Sequence, residues 1–537
     1  MADLANSRTL SVPSDARSAA SRSRSRRFLG FLGGAMLGLA ATVAVAQQPG
    51  GDVIVAQNSN PPSLDAMVTS SQASRNINMN IYEALFVFDE NVQPIPLLAE
   101  DVEVSDDGLT YRMPLRQGVL FHNGKEMTAE DVKASLDRYK EHGASGGIMA
   151  PVESVEINGD YEVTLHFSEP APPFLEAFSS PRAPVVIIPA EEAAKGPNEI
   201  EIIGTGPYKF AEYVPDSHVK LERFDDYVAD TRHEDRNGFG GQKIPYFDTV
   251  TFRIMPEAGA RAAALQAGEI HVVEQIPVPS GRRLESDPNI EIHENKGWAF
   301  LNLILNWNQA PTDSPEFRKA VQLALNMEEV MAIATEGLYD LDHGLQHAGT
   351  AYYPGDIGMD LYNQADVEQA KALLAESGYD GAEFQILTDT NYGEHNRAAV
   401  VIAEQLKAIG INAVVNQVDW PTALQVRLQD EGWNGWTLMM GIEPYLGPYG
   451  YAATFTGDSP HQRVQDEGIE DAYARLISEP DEAARKQAFA DFQTRFYETL
   501  PLVKLGNVSM MQATRADVEN FAPFRFPRMY NVWFAQD

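Results

Sequence analysis

From Phe384 onward, apolar runs suited to strands alternate with amphipathic runs suited to helices, and this alternation narrows the possible folds more than any other feature. Phe384–Leu387 reads as a strand, and Glu394–Ile409 as a helix that Gly410 stops. Ile411–Val418 is the next strand, Pro421–Gln429 a short helix and Trp436–Met440 a third strand. A strand-helix-strand-helix-strand order is the signature of a parallel sheet, because parallel neighbours need a crossover between them. Such sheets bind ligands beyond the carboxyl ends of their strands. Two loops lie there, Thr388–Tyr392 and Gly441–Tyr451.

The earlier chain is mixed. Asp52–Ala56 is a short apolar strand; a polar loop, Gln57 to Asn76, follows, and an apolar pattern resumes over Ile77–Phe88. Thr110–Leu115 and Tyr161–Phe167 alternate apolar with polar residues, as half-buried strands do. Between them Thr128 can cap a helix and Asp131 can answer it, with Val132, Leu136 and Tyr139 at helical spacing. Gly204–Tyr208 is a turn into a strand, and Gln266–Val273 reads as a helix end, a glycine stop and a buried strand. Ser314 caps a further helix, Pro315 fits its first turn, and Phe317, Val321 and Leu325 form its apolar stripe. No internal repeat is present.

Residues 1–46 read as an address rather than as part of the fold. Met1 to Arg27 carries six arginines against Asp3 and Asp15, and the uncharged run Phe28–Ala46 ends in Ala44-Val45-Ala46, a signal-peptidase pattern. The Arg26-Arg27 pair resembles a twin-arginine signal, with Phe28 following the pair directly where a spacer residue is usual. A membrane anchor is the competing reading, since nineteen residues just span a bilayer. Gly30, Gly33, Gly34 and Gly38 make the run weakly hydrophobic, which favours cleavage and a mature chain beginning at Gln47. With no later apolar span, the expected product is soluble and periplasmic. The chain has no cysteine, which excludes disulfides, thiolate metal sites, a cysteine nucleophile and a lipoprotein anchor. Its 77 acidic and 41 basic residues give a formal charge of -36, which disfavours nucleic acid as a partner.

Several motifs compete for attention. Gly143-Ala144-Ser145-Gly146-Gly147 matches the serine-hydrolase pattern, but that chemistry needs a strand before the serine and a helix after it. Here a helix precedes it, so a chance match in a turn is favoured. His343 and His347 have the spacing of a zinc helix, yet Gly344 stands where a zinc protease needs glutamate, and they read as loop histidines. Gly204-Thr205-Gly206 lacks the third glycine of a dinucleotide fingerprint, Lys209 standing there instead. Trp298, Trp420, Trp433 and Trp436 sit at or next to segment ends; core packing is the expected fate of Trp433 and Trp436.

The order of segments resembles the large solute-binding proteins of bacterial peptide-importing ABC transporters, the dipeptide/oligopeptide/nickel family (family 5 extracellular solute-binding proteins). The resemblance rests on Leu97–Glu100, Leu115–Gly124, Thr128–Val132, Gly204–Tyr208, Gly268–Ile270, Leu303–Asn306 with Arg318-Lys319-Ala320, and Ala370–Leu374, in that order. It implies an α/β, two-lobed periplasmic-binding-protein fold of type II with an extra domain and a ligand cleft between lobes. The implied division is residues 47–84, 205–297 and 506–537 for the main domain of the first lobe, 85–204 for the extra domain and 298–505 for the second lobe. It also implies a monomer with no cofactor, no metal and no catalytic residues, which hands a small-molecule or peptide ligand to an ABC permease complex in the inner membrane.

Carried over position by position, the resemblance implies ligand contacts at Ser70, Ser71, Trp298, Tyr392, Trp420, Glu443 and Tyr445. Tyr445 aligns with the aspartate that peptide binders place on the ligand's amino group, and Thr390 with the arginine that holds a dipeptide's carboxylate. Both charge anchors are therefore expected to be missing, which disfavours a plain dipeptide. The alternative function is a secreted hydrolase using Ser145 or one of the carboxylates, and a chaperone or sensor role is also compatible with such a fold.

Overall fold

The computed structural model describes residues 49–182, 184–441, 447–456, 466–524 and 526–535. Its frame is one large mixed sheet. In chain order the main strands are β1 (Asp52–Gln57), β2 (Tyr208–Val214), β3 (His218–Arg223), β4 (Thr249–Ile254), β5 (Val272–Val273) and β6 (Ile290–Leu305). They continue with β7 (Glu383–Asp389), β8 (Asn412–Val418), β9 (Gly435–Met440) and β10 (Leu502–Arg515). Across the sheet the order is β8-β7-β9-β6-β10-β5-β1-β4-β3-β2. β7 is parallel to both β8 and β9, as the alternation from Phe384 requires. The helix between β7 and β8 runs Gly393–Ile409 and ends at Gly410.

Two strands cross the whole molecule. The first half of β6 and the second half of β10 pair beside β5, while the other halves of the two strands continue into the second lobe, where β6 pairs with β9. Between the halves the register slips. Asn295 faces Met510 and Ala299 faces Val508, so Lys296, Gly297 and Trp298 bulge out opposite Ser509. Gly297 sits at φ +68°, a backbone conformation that a side chain would strain. This bulge bends the strands between the two halves of the sheet.

Period-two alternation builds the second lobe's cores. Ala299, Leu301, Leu303 and Leu305 of β6 pack on one side with Ile402 and Leu406 of the Gly393–Ile409 helix. Phe300 and Ile304 point the other way, into a cluster with Trp433, Trp436, Phe489 and Phe496. In the first lobe, β1, β3 and β4 share a core with a four-stranded antiparallel sheet made from Glu103–Val104, Thr110–Pro114, Glu162–Phe167 and Val152–Ile157. The helix Ala129–His142 covers that small sheet and opens with the expected Thr128/Asp131 capping box.

Local chemistry fixes several joints. The Gly204–Tyr208 turn leads into β2 because Gly206 donates to the Ile81 carbonyl at 2.9 Å, an approach so close that a Cβ there would lie 2.6 Å from that oxygen. Arg138 and Asp65, both about 1 % exposed, form a two-pronged pair at 2.6 and 3.2 Å. The polar segment after β1, expected as a loop, contains a helix, Gln72–Asn78, in which every residue from Ala73 to Asn78 is buried. Its polar side chains serve internal hydrogen bonds, such as Asn76 to Gln57 at 3.3 Å, so burial and polarity coexist and hydrophobic periodicity misses it.

Candidate functional site

Two cavities occupy the places where the sequence puts its candidate residues. The first, of about 390 Å³, lies at the carboxyl ends of β8 and β9. Leu438, Met439 and Met440 of β9 form its floor, Trp420 and Leu424 one wall, and Gly441, Gly447, Gly450 and Tyr451 the other. The second, of about 360 Å³, surrounds Trp298 at the bend; Arg261, Gln275 and Ile276 line it from one side, Thr335 and Glu394 from the other. Met439 lines both. The two tryptophans thus stand in adjoining cavities, not on one shared wall.

The Trp420 wall is built from the helix after β8 and held by the loop after β7. Asp419 caps the helix Trp420–Val426 by accepting from the Thr422 amide at 3.0 Å, and Pro421 fits its first turn. The helix is shorter at its C-terminal end than the sequence pattern implies. Asn391 fixes the position of Trp420 by accepting from its backbone amide at 2.9 Å. The indole meets Tyr392 edge-on at 5.3 Å and lies 6.2 Å from the Trp436 ring. Tyr392 itself is 42 % exposed, with its ring presented to the surface beside Trp420.

Beneath these rings is a buried clamp. The Asp389 carboxylate accepts from the amides of Asn391 and Tyr392 at 2.9 and 2.8 Å and from His395 Nδ1 at 2.7 Å. His395 Nε2 in turn accepts from the Met439 amide at 2.8 Å. A backbone N–H can only donate, so the ring is neutral with its proton on Nδ1. Burial agrees, holding His395 below its ordinary value of 6.5. One carboxylate therefore ties the β7 loop, the start of the long helix and β9 into one rigid wall.

Trp433 and Trp436 are both 1 % exposed, as expected of core residues. Trp433 donates to the Gln429 carbonyl at 3.1 Å. Trp436 differs, because it also lines the cavity and its indole N–H has no partner among the described residues. The same holds for the hydroxyl of Tyr451, a residue 2 % exposed, and burial pushes its phenol up. Arg427 stacks its guanidinium over the Trp436 ring at 5.3 Å, and Arg182 also lines the cavity. Residues 420, 424 and 427 share one helical face, so Arg427 was readable from spacing once the helix was placed. Nothing local marks Arg182, whose position depends on how the chain returns past the second lobe.

The remaining expected residues stand as follows. Ser70 and Ser71 precede the helix Gln72–Asn78, and neither lines the two cavities. Thr390 is exposed and its amide donates to the Val418 carbonyl at 2.9 Å. Glu443 and Tyr445 lie outside the described residues. Ser145 sits on an exposed turn between a helix and a short 3-10 turn, with no strand running into it. His343 and His347 are loop residues; His343 donates or accepts through Nε2 against the Gly355 carbonyl, which makes it a donor at 2.8 Å. No group of three or more possible metal ligands occurs among the described residues, and no described helix is long and apolar enough to cross a membrane.

Known proteins share this fold. The family model for the middle region of bacterial extracellular solute-binding proteins, family 5, matches residues 93–462. The oligopeptide-binding protein AppA of Bacillus subtilis is 29% identical over 419 residues, covering 73% of this chain and 74% of its own. A probable peptide ABC transporter periplasmic-binding protein, y4tO of Sinorhizobium fredii, is 28% identical over 492 residues, covering 87% and 91%. Among solved structures, the ABC transporter substrate-binding protein CtaP of Listeria monocytogenes superposes with a TM-score of 0.79 at 23% identity, covering 91% of this chain and 100% of its own. The structure of the oligopeptide-binding protein AppA from Bacillus subtilis in complex with a nonapeptide gives 0.69 at 25% identity, covering 91% and 100%. These relatives are binding proteins, not enzymes, and the fold is their two-lobed α/β fold. The chain belongs to the bacterial extracellular solute-binding proteins of family 5.

Proposed function

We propose that this protein is the periplasmic substrate-binding component of an ABC importer. It captures a peptide-like or other small polar solute by closing its lobes about the β6/β10 bend, and it delivers the solute to a permease complex in the inner membrane as a monomer. The observation that carries the reading is the aromatic cavity at the carboxyl ends of β8 and β9, which Arg182 also lines. A ligand there touches both lobes only when they are closed, and that difference in contact is what selects the closed state. The relatives named oligopeptide-binding and peptide-transporting support the same role.

The signal segment 1–46 is removed in this reading, by the Sec or the twin-arginine route, leaving Gln47 as the mature N-terminus. The first lobe comprises residues 47–84, 205–297 and 506–537 with 85–204 as its extra domain, and 298–505 form the second lobe. Trp420 and Tyr392 supply stacking, Trp298 reports on the bend, and Ser70, Ser71, Glu443 and Tyr445 supply polar contacts. With Thr390 and Tyr445 at the two charge-anchor positions, the ligand is not a dipeptide held by both its termini, since buried charges need fixed partners.

Native mass spectrometry of protein purified from the periplasm should reveal a bound solute. Adding that solute back should raise the unfolding temperature, leave the solute chemically unchanged and reduce the scattering radius. Turnover of the solute, or tight binding without any change in radius, would overturn the reading.

A further inference from the structure

Residues 447–451 form a partition with open space on both sides. At the front, Gly447, Gly450 and Tyr451 line the Trp420 cavity. At the back, Gly447 also lines a second cavity of about 280 Å³, with Gln346, Tyr352 and Arg485 among the side chains behind it. The lower end of the partition is well packed, since Tyr451 is buried and meets the Phe300 ring at 5.6 Å. The upper end is not. A Cβ placed on Gly450 would meet no described atom within 4 Å, and Gly447 sits at φ +62°. Backbone with space before and behind it gains little from dispersion, so its hydrogen bonds decide where it stands.

Two side chains supply those bonds from the rear. Gln346 Nε2 donates to the Gly447 carbonyl at 2.9 Å, and the hydroxyls of Tyr352 and Tyr449 share a hydrogen bond of 2.7 Å. Both side chains are themselves held. Gln346, 1 % exposed, lies in a turn where the Asp342 carboxylate accepts from the amides of Gly344 and Ala348 at 2.9 and 3.3 Å. That turn is pinned to β10, because Asn507 donates to Asp342 at 3.1 Å and Lys504 donates to the Gly344 carbonyl. Gln493 accepts from the Leu345 amide at 2.7 Å, one residue before Gln346. Arg485 Nε donates to the Tyr352 hydroxyl at 3.2 Å.

We propose that Gln346 is a positioning residue for solute capture: with Tyr352 it fixes the upper end of the 447–451 partition, and so the shape of the Trp420 cavity, although neither side chain lines that cavity. This role rests on the solute-capture reading and adds a determinant of cavity shape that no contact with the solute identifies. Without the Gln346 bond, Gly447 is free to move toward the rear cavity and the front cavity loses part of its wall. Only the fraction of molecules with the partition in place then binds tightly, and apparent affinity falls by that fraction.

The first test needs no solute. The amides of Ala452 and Ala453 donate to the Pro448 and Tyr449 carbonyls, so their hydrogen exchange reports on the upper end of the partition. The Leu406 amide, inside the Gly393–Ile409 helix, reports on the second lobe at large. Gln346→Met keeps the length of the side chain and removes the donor; exchange at Ala452 and Ala453 is expected to rise about tenfold with Leu406 unchanged. Tyr352→Phe is expected to raise it about threefold or more. Gln346→Glu adds a signature that general loosening does not produce. Its protonated carboxyl can donate to the Gly447 carbonyl and its carboxylate cannot. Divided by the intrinsic exchange rate, its opening equilibrium should match the wild type at about pH 4 and reach the Gln346→Met value at about pH 8. Glu176, Glu482 and Arg485 share the rear cavity, and Asp342, His343 and His347 lie on the same turn as Gln346; all the compared proteins keep these groups, so the difference between them isolates position 346. The co-purified solute should then bind Gln346→Met about tenfold more weakly than the wild type. Unchanged exchange in Gln346→Met, a Gln346→Glu profile parallel to the wild type, a change at Leu406 equal to that at Ala452, or full affinity of Gln346→Met for that solute would overturn the proposal. If the wild type neither binds nor closes on that solute, the capture reading itself fails, while the exchange comparison still decides what holds the partition.

Discussion

Substituting Asp389 by asparagine should loosen the aromatic wall far more than its near-isosteric size implies. The carboxylate accepts three hydrogen bonds, from the Asn391 and Tyr392 amides and from His395 Nδ1. An amide can still accept from the two backbone groups, though each bond loses its charge assistance. Its NH2 group then faces His395 Nδ1–H, donor against donor. If the ring shifts its proton to Nε2 to relieve that conflict, Nε2–H faces the Met439 amide instead. Either tautomer leaves one buried donor without an acceptor, at roughly 1–3 kcal/mol, and the weakened amide bonds add about 1 kcal/mol. A total near 3 kcal/mol is about a hundredfold in a local opening equilibrium. The assay is hydrogen exchange at the Met439 and Tyr392 amides of the unliganded protein. His395→Gln is the contrasting variant, because its amide can donate to Asp389 and accept from Met439 at once; it should raise exchange about tenfold or less. Near-wild-type exchange in D389N, or a larger effect in H395Q than in D389N, would refute the tautomer reasoning. Acidification gives a second handle. Burial holds His395 below 6.5, so below that pH the opened segment takes up a proton that the closed one does not, and closure weakens as pH falls. Divided by the intrinsic exchange rate, which itself falls with pH, the opening equilibrium at Met439 should therefore grow below about pH 6.5 in the wild type, and H395Q should lack that growth.

Three other perturbations follow from single contacts. Arg138→Met leaves Asp65 charged in a site about 1 % exposed, and should cost about 3–5 kcal/mol in denaturant unfolding, with the D65N/R138M pair recovering part of it; equal losses in both would refute the reasoning. Burial pushes Lys504 down from its ordinary 10.5 to about 7 against the pull of Asp342, so the unfolded chain holds more protons between those values and stability rises with pH across them. Lys504→Met should flatten that part of the profile, and identical slopes for the two proteins would count against it. Glu176 reaches Arg485 at 3.7 Å, linking the helix Phe174–Phe178 to the helix Glu482–Thr499, and Arg485 continues through Tyr352 at 3.2 Å to Tyr449 at 2.7 Å. Glu176→Gln should weaken solute affinity about fivefold (~1 kcal/mol) and enlarge the unliganded scattering radius; an unchanged radius would show that this contact does not hold the lobes.

The parallel sheet of the second lobe was legible because its elements are long, periodic and separated by strong stops such as Gly410. The capping box at Thr128 and the Ser314-Pro315 helix start were legible for the same reason, each being a local device. The bend was not. Lys296-Gly297-Trp298 is an uninterrupted part of a sixteen-residue strand, and only its mismatch with the partner strand marks it. The helix Gln72–Asn78 was hidden by polar residues that face inward onto one another. At the site, the strand-end argument marked the Thr388–Tyr392 loop and the family resemblance supplied Tyr392 and Trp420, whose contact the structure shows, whereas the position of Arg182 depends on tertiary return of the chain. Trp436 shows the limit of a core assignment: a ring 1 % exposed still forms part of a cavity's wall.

The packing also explains how so small an interaction as one bound solute can move so large a body. The clusters around Phe121 and Phe252 and around Phe88 and Phe239 draw on residues before Ile290 or after Arg515, and those around Leu303 and Phe300 draw on residues between Trp298 and Val508. Among the described residues only a small cluster at Ile276, Ile290, Leu338 and Met511 mixes the two sets, and it lies beside the bend. Opening the lobes therefore exposes little of either core, so the hydrophobic term that stabilises each lobe is nearly the same in both states. The residual difference falls on the bulge, the Glu176–Arg485 contact and whatever fills the Trp420 cavity. Moving such an equilibrium from one side to the other needs only about 5 kcal/mol of differential binding. One solute that forms a few charge-assisted hydrogen bonds only when both lobes touch it is an interaction of that order.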